Sequence, residues 1–325
     1  TVDTTAPDAP ALTTVPPEQT KARKATVVIS RSESGGTLQF RMDGGAWKTC
    51  TETLVFNLLG QGTHTVLIRQ RDAAGNLSES ASATWTVDVT PPGRPSLTGV
   101  PAAHTNRFGA SIGVTTTEPD GTIECKLDAG NWKTCPNPIV FTLLGSGSHT
   151  LLVRQRDAAG NSSEAASATW VVDMAAPAAP GLSGVPATLT NQRGATITVT
   201  PAKSGGTIQC KLDTAAWATC GTTITYRLLH SGPHTVQVRQ RDAAGNTGAA
   251  ASATWTIDAT PPGLPTLTGK PASVTTSRTA SIGVTKAEDG GTLQCKLDTA
   301  SWSACTDPIS LSGLATGVRV LLVRQ

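Results

Sequence analysis

Cysteines, histidines and a recurring set of aspartates are the residues of this chain that could do chemistry. Six of the seven cysteines fall in three pairs, Cys125 with Cys135, Cys210 with Cys220 and Cys295 with Cys305, all with the same spacing. A zinc ribbon or finger needs two close Cys or His pairs per site, and here each pair is wide and alone. The spacing fits a local disulfide around a turn, which implies an oxidising compartment outside the cytoplasm. Closing so short a loop stabilises by roughly 2–3 kcal/mol. Cys50 stands where the second member of a pair belongs, but Phe40 holds the first place. It is either a free thiol or a bridge to another chain. His64, His149 and His234 recur with no nucleophile beside them in a fitting motif. They fall just before a strand, where a histidine is expected to satisfy a turn backbone. Phosphate-loop, haem-attachment and H-E-x-x-H patterns are absent. No catalytic constellation forms, and the chain is predicted not to be an enzyme.

These residues are positioned by a repeat. Arg-Gln-Arg-Asp-Ala-Ala-Gly-Asn occupies 69–76, returns unchanged at 154–161 and 239–246, and starts a fourth time at Arg324-Gln325. Asp72, Asp157 and Asp242 therefore recur at one fixed interval. Trp47, Trp132, Trp217 and Trp302 form one series on this period; Trp85, Trp170 and Trp255 form another. Solenoid repeats are usually 20–50 residues and cannot bury a core alone. A unit running from 4 to 88 is long enough to be a small domain. The expected boundaries are 1–3 (the end of a preceding repeat), 4–88, 89–173, 174–258 and 259–325, the last truncated before its final strand. The chain reads as a window on a longer array.

Within a unit the pattern is that of strands. Taking 89–173 as template, strands are expected at 95–98, 110–115, 122–127, 138–144, 149–156 and 168–173, with period-2 alternation such as Ile112 and Val114 against Ser111 and Gly113. Turns fall at Asp128-Ala129-Gly130-Asn131 and Asp157-Ala158-Ala159-Gly160-Asn161. Asp43, Asp128, Asp213 and Asp298 open the first of these, and each is expected to bond its own turn backbone. Residue 130 at the centre of that hairpin would set Cys135 opposite Cys125. Both tryptophan series are read as core residues, which leaves little aromatic surface for stacking. Short proline-containing links such as Thr90-Pro91-Pro92 favour a rod over loose beads. About seven short strands per unit predict an all-β fold: tandem immunoglobulin-like Greek-key β-sandwiches in an extended rod.

The net charge of +3 over 325 residues argues against a nucleic-acid footprint or a polybasic membrane patch. No window reaches a membrane-spanning length of apolar residues, and residues 1–30 lack the apolar core of a signal peptide. Asn76-Leu77-Ser78 and Asn161-Ser162-Ser163 match the N-glycosylation pattern, whereas Asn246-Thr247-Gly248 does not. The asparagine is already accounted for by its turn.

Gly-x-His-Thr-x-x-x-Arg-x-x-Asp-Ala-Ala-Gly-Asn, followed by Ala-Thr-Trp-Thr-Val-Asp-x-Thr-Pro-Pro, resembles the bacterial immunoglobulin-like repeats of large secreted surface proteins and adhesins. The resemblance covers essentially the whole chain. The last repeat departs from it: Arg319 replaces the histidine, and Leu311 the aromatic of Phe56, Phe141 and Tyr226. Such repeats usually serve as extenders, so the resemblance implies a non-catalytic stalk or fibre region at an extracellular bacterial surface. A homopolymeric filament or surface layer, and an adhesin module binding glycan or host protein, are the alternatives. In a sandwich of this type one domain's last strand ends near the next domain's loops. Asp3 would then meet Asp72, Asp88 meet Asp157 and Asp173 meet Asp242. Paired carboxylates with backbone carbonyls suit Ca²⁺, and the resemblance implies the same at such joints. The competing expectation is that one aspartate caps a turn and the other faces water. Expected partners are neighbouring repeats and, in a fibre, like chains.

Overall fold

The structure is a computed structural model and describes residues 2–325. Thr1, assigned above with Val2 and Asp3 to a preceding repeat, lies outside the described residues. In the first period eight strands form: β1 (Ala11–Thr14), β2 (Gln19–Thr20), β3 (Ala25–Ser30), β4 (Thr37–Met42), β5 (Lys48–Cys50), β6 (Thr53–Phe56), β7 (Gly62–Arg71) and β8 (Ala81–Val87). They make two sheets, β1-β3-β6 and β2-β8-β7-β4-β5. All pairings are antiparallel except β2 with β8, where Gln19 aligns with Thr86. The same two sheets recur in the second and third periods, and each sheet draws its strands from one period. The fourth has the three-stranded sheet and a second of three strands, Ser303–Ala304, Gln294–Leu297 and Leu321–Arg324. The fold is all-β: β-sandwiches in tandem.

By contacts the chain divides into two compact units. One comprises Thr1–Pro177, Lys203–Gly206 and Arg241–Thr247; the other Ala178–Ala202, Thr207–Gln240 and Gly248–Gln325.

Alternation builds each core. Along β3 Ala25, Val27 and Ile29 are buried, and along β7 Val66 and Ile68. β-Branched residues at every second position fill the space between the sheets and leave Thr26 and Val28 half exposed. Trp85, Trp170 and Trp255 are 1 % exposed at the centre of the first three cores. Each indole N–H lacks a protein hydrogen-bond partner, so these residues serve by volume.

Four strands are bounded differently from expectation, with Ser96–Thr98 in place of 95–98 and Ala166–Val172 in place of 168–173. The strand expected at 138–144 is only Ile139–Phe141, and the long strand begins at Gly147 instead of 149. The cysteine hairpin is also shifted. Cys125 lies opposite Lys133, and the Cys135 amide donates to the Ile123 carbonyl. Asp128 takes a left-handed φ of 53° and the Gly130 amide bonds Leu127, which closes the turn one residue early. The cysteines are thus diagonal neighbours, still 5.9 Å apart at Cα and bonded. Cys210–Cys220 and Cys295–Cys305 are bonded in the same way. In the first repeat Phe40 packs edge-on against Phe56 at 5.9 Å, and half-buried Cys50 lies against the same core. Burial pushes the Cys50 thiol up from its ordinary value despite Arg31 nearby. That favours the thiol over the thiolate that disulfide exchange requires.

Candidate functional site

The invariant octapeptide 69–76 is where the sandwich, its outer surface and the joint to the preceding repeat meet. Almost every residue of it has a separate task. Arg69, Arg154, Arg239 and Arg324 lie over Trp47, Trp132, Trp217 and Trp302 at 4.0–4.3 Å from the ring. A second cation, Arg41, Lys126, Lys211 or Lys296, stands 5.2–5.4 Å from the same ring. This corrects the expectation that these tryptophans are core. Each is half buried and lies on the outward face of the five-stranded sheet or its counterpart, because the turn before it restores the outward register of Arg41 and Gln39.

Gln70, Gln155 and Gln240 point inward and are at most 1 % exposed. Gln155 Oε1 accepts from the Thr117 amide at 2.9 Å, and its Nε2 donates to the Glu118 carbonyl at 2.7 Å. Gln70 does the same with Ser32 and Glu33. The hydroxyls of Ser32 and Thr117 then reach linker carbonyls at Asp8 and Gly93. A buried amide can satisfy both atoms only if the loop stays in place, so the glutamine fixes the loop and the loop holds the linker.

Arg71 and Arg241 turn their Nε to the carbonyls of Gly75 and Gly245, capping the turn. Asp72 Oδ1 accepts from the Gly75 and Asn76 amides at 2.6 and 2.8 Å. Gly75 has a φ of 102°, a left-handed conformation that glycine takes without strain. Together these bonds hold the Asp72 carboxyl below its ordinary range, the Asn76 side chain being the main cause.

The asparagine makes the joint. Asn161 Nδ2 donates to Asp157 Oδ2 at 2.8 Å and to the Asp88 carbonyl at 2.9 Å. Asn246 bonds Asp242 and the Asp173 carbonyl at 3.0 and 2.7 Å. Asn76 bonds Asp72 at 2.8 Å and the Asp3 carbonyl at 3.1 Å. The first two reach back from one repeat to the terminal aspartate of the repeat before. Lys21 adds a further tie from the first repeat, its amide to Ala159 O at 3.1 Å and its ammonium to Gly160 O at 2.8 Å.

The structure thus brings together the three expected aspartate pairs, but an asparagine amide and a backbone carbonyl join them. The carboxyls of Asp3, Asp88 and Asp173 instead accept amides of their own linkers, from Thr5, Thr90 and Ala175. At the third pair Lys203 inserts its ammonium between Asp173 Oδ2 and Asp242 Oδ2, 3.0 Å from the latter. Burial opposes ionisation of Asp242, but the Asn246 and Lys203 bonds outweigh it and lower its pKa to about 2. Among the described residues, no three carboxylate, histidine or cysteine groups gather as a metal shell needs. Calcium prefers 6–8 oxygens, whereas these joints present N–H donors, and one presents an ammonium. As they stand, the residues do not fit a calcium site.

The histidines hold a second network. Asp43 Oδ1 accepts the Thr65 amide at 2.8 Å, and its Oδ2 meets His64 Nδ1 at 2.8 Å. His64 Nε2 lies 3.0 Å from the Gly60 carbonyl. The same holds at His149 with Asp128 and Gly145, and at His234 with Asp213 and His230. The aspartates therefore bond the neighbouring strand and a histidine, which corrects the expectation that they bond their own turn. A carbonyl and a carboxylate both accept, so the geometry favours a ring that donates from both nitrogens. The pKa of each of the three is raised accordingly, for His64 first by the bond to Asp43 and for the other two first by the bond to the carbonyl. In the fourth repeat Arg319 makes both bonds, to Asp298 at 2.8 Å and to the Ala315 carbonyl at 3.1 Å. A permanent cation there shows what the position asks for.

No protein-family model matches the chain, and no characterised protein matches it in sequence. Among solved structures it is similar to the FN1–FN3 domains of chicken CNTN1, at 11 % identity and a TM-score of 0.33, covering 78 % of this chain and all of the other. It is also similar to a structure of a 1.5-MDa bacterial ice-binding adhesin, described for host cell surface retention, at 13 % identity and a TM-score of 0.34. That match covers 72 % of this chain and 89 % of the other. At these values neither likeness carries function to this chain.

Proposed function

We propose that this chain is a non-catalytic extender, a run of β-sandwich repeats bounded near 88, 173 and 258 that forms the stalk or fibre region of a large extracellular bacterial surface protein or adhesin. One observation carries this reading. The most invariant stretch of the sequence ends in an asparagine whose two amide hydrogens join its own turn to the preceding repeat's last residue. The glutamine, aspartate and asparagine of that stretch make the sandwich and its joint. The three disulfides favour a secreted setting.

Small-angle scattering tests the proposal. Four domains at roughly 30–40 Å each should give a maximum dimension on the order of 120–160 Å. The same value is expected in calcium and in chelator, because the clasp closes without a cation. Contraction in chelator alone would restore the calcium joints, and a much larger particle that grows with concentration would favour the homopolymeric filament. A compact particle in both conditions would overturn the extender.

A further inference from the structure

Apart from Arg71, which caps the joint's turn, the outward face of the larger sheet has no task in the joint. In β4 and β7 its positions are Thr37, Gln39 and Arg41, and Thr63, Thr65, Leu67, Arg69 and Arg71. Arg69 and Arg41 both lie over Trp47, and the Arg69 Nε donates to Gln39 Oε1 at 3.0 Å. The acceptor is neutral, so the guanidinium keeps its full charge. Arg239 with Gln209 and Arg324 with Gln294 repeat the arrangement at 2.9 and 3.0 Å. Only the second repeat differs, where Glu124 pairs with Arg154 at 2.7 Å. Among the described residues no ion pair neutralises Arg41, Arg69, Lys126, Lys211, Arg239, Lys296 or Arg324. The small net charge of the chain conceals these cations. On this face each tryptophan of the Trp47 series gathers two cations.

We propose that this face, in each repeat, binds an anionic polysaccharide through the cation pair stacked on its tryptophan. The surface is an open sheet, as suits a chain ligand. Threonine pairs on the same face, Thr65 with Thr84 and Thr150 with Thr169, each 3.1 Å apart, offer hydroxyls to sugar oxygens. Both cations lie over the indole and take up ring surface that the base stacking of single-stranded nucleic acid would use. Stacking also limits the motion of each cation, lowering the entropy lost when an anionic group docks. Sulfate or carboxylate on the sugar would serve, and recurrence of the face in every repeat multiplies a weak contact.

The test uses the whole chain immobilised, with dextran sulfate, polygalacturonate, neutral dextran and double-stranded DNA as probes at several salt concentrations. Binding of dextran sulfate or polygalacturonate that weakens with salt, with no binding of neutral dextran, is expected; which of the two binds more tightly identifies the anionic group. The face variant carries Arg41→Gln, Lys126→Gln, Lys211→Gln and Lys296→Gln. It should lose at least tenfold in affinity and show a shallower salt dependence. A control of equal net charge carries Lys24→Gln, Arg94→Gln, Lys270→Gln and Arg278→Gln, exposed residues elsewhere, and should bind as the parent does. Thermal unfolding of both variants establishes that they are folded. Equal losses in the two variants would overturn the assignment to this face. Tighter binding of DNA than of either polysaccharide at matched salt would overturn the polysaccharide, and no binding of either at low salt would overturn the proposal outright.

Discussion

At the scale of the residue, the joint and the histidine turn each depend on one side chain that donates twice. Asn161 is 8 % exposed, so replacement leaves a carbonyl and a carboxylate facing each other with little water. Asn161→Ala should cost on the order of 1–3 kcal/mol, read as a lower unfolding temperature and faster amide exchange at the 88–90 linker. Unchanged exchange there would show that the clasp is not what orders the joint. The histidine makes a sharper prediction. His149 must carry two protons to bond both Asp128 and Gly145, so it should titrate above 6.5 by NMR. His149→Arg, which copies Arg319, should keep the turn and remove its pH dependence. His149→Gln brings no positive charge to Asp128 and should be less stable at pH 6. A His149 that titrates at or below 6.5 would refute the imidazolium.

At the scale of the element, two devices hold the larger sheet to its loops. Gln155→Ala would leave the Thr117 amide and the Glu118 carbonyl without their partner near the core, a loss of about 2–3 kcal/mol. Denaturant unfolding should show a lower midpoint with an unchanged slope. The disulfide staples are the second device. Reduction should lower the stability of 89–173 and 174–258 by roughly 2–3 kcal/mol each and leave 4–88 unaffected, because Phe40 against Phe56 fills the place of the staple. Differential scanning with and without reductant would separate these transitions. Much of this level was legible in the sequence. Strand alternation, the Asp-Gly turns and the cysteine spacing are local signals, and they placed most strands within a residue or two. What was not legible depends on pairing across strands. Trp47 reads as core until Arg69, on another strand, is seen to cover it. Gln70 reads as one more inward residue until its loop is seen. Asn161 reaches back to Asp88, a separation of 73 that is unrelated to the period organising everything else.

At the scale of the whole molecule, the two charged networks set opposite limits on stability with pH. The raised pKa values of His64, His149 and His234 mean that the folded state binds protons more tightly than the unfolded chain. Their contribution is complete below 6.5 and is lost as pH rises through the folded values. The lowered pKa values of Asp72, Asp128, Asp213 and Asp242 act in the other sense. Theirs is complete above 3.8 and is lost as pH falls through the folded values, about 2 at Asp242. Unfolding temperature should therefore plateau between about pH 4 and 6.5, fall gradually on the alkaline side and fall again in acid. The two slopes should separate by mutation. Replacing all three histidines with arginine should flatten the alkaline side. Lys203→Gln removes the ammonium between Asp173 and Asp242, so it should raise the Asp242 pKa from about 2 toward its ordinary value and move the acid limit alone. If Lys203→Gln also shifts the alkaline limit, the joint and the histidine turn are energetically coupled through the sandwich. Each repeat would then transmit strain from one end to the other, and the repeats would not act as independent links.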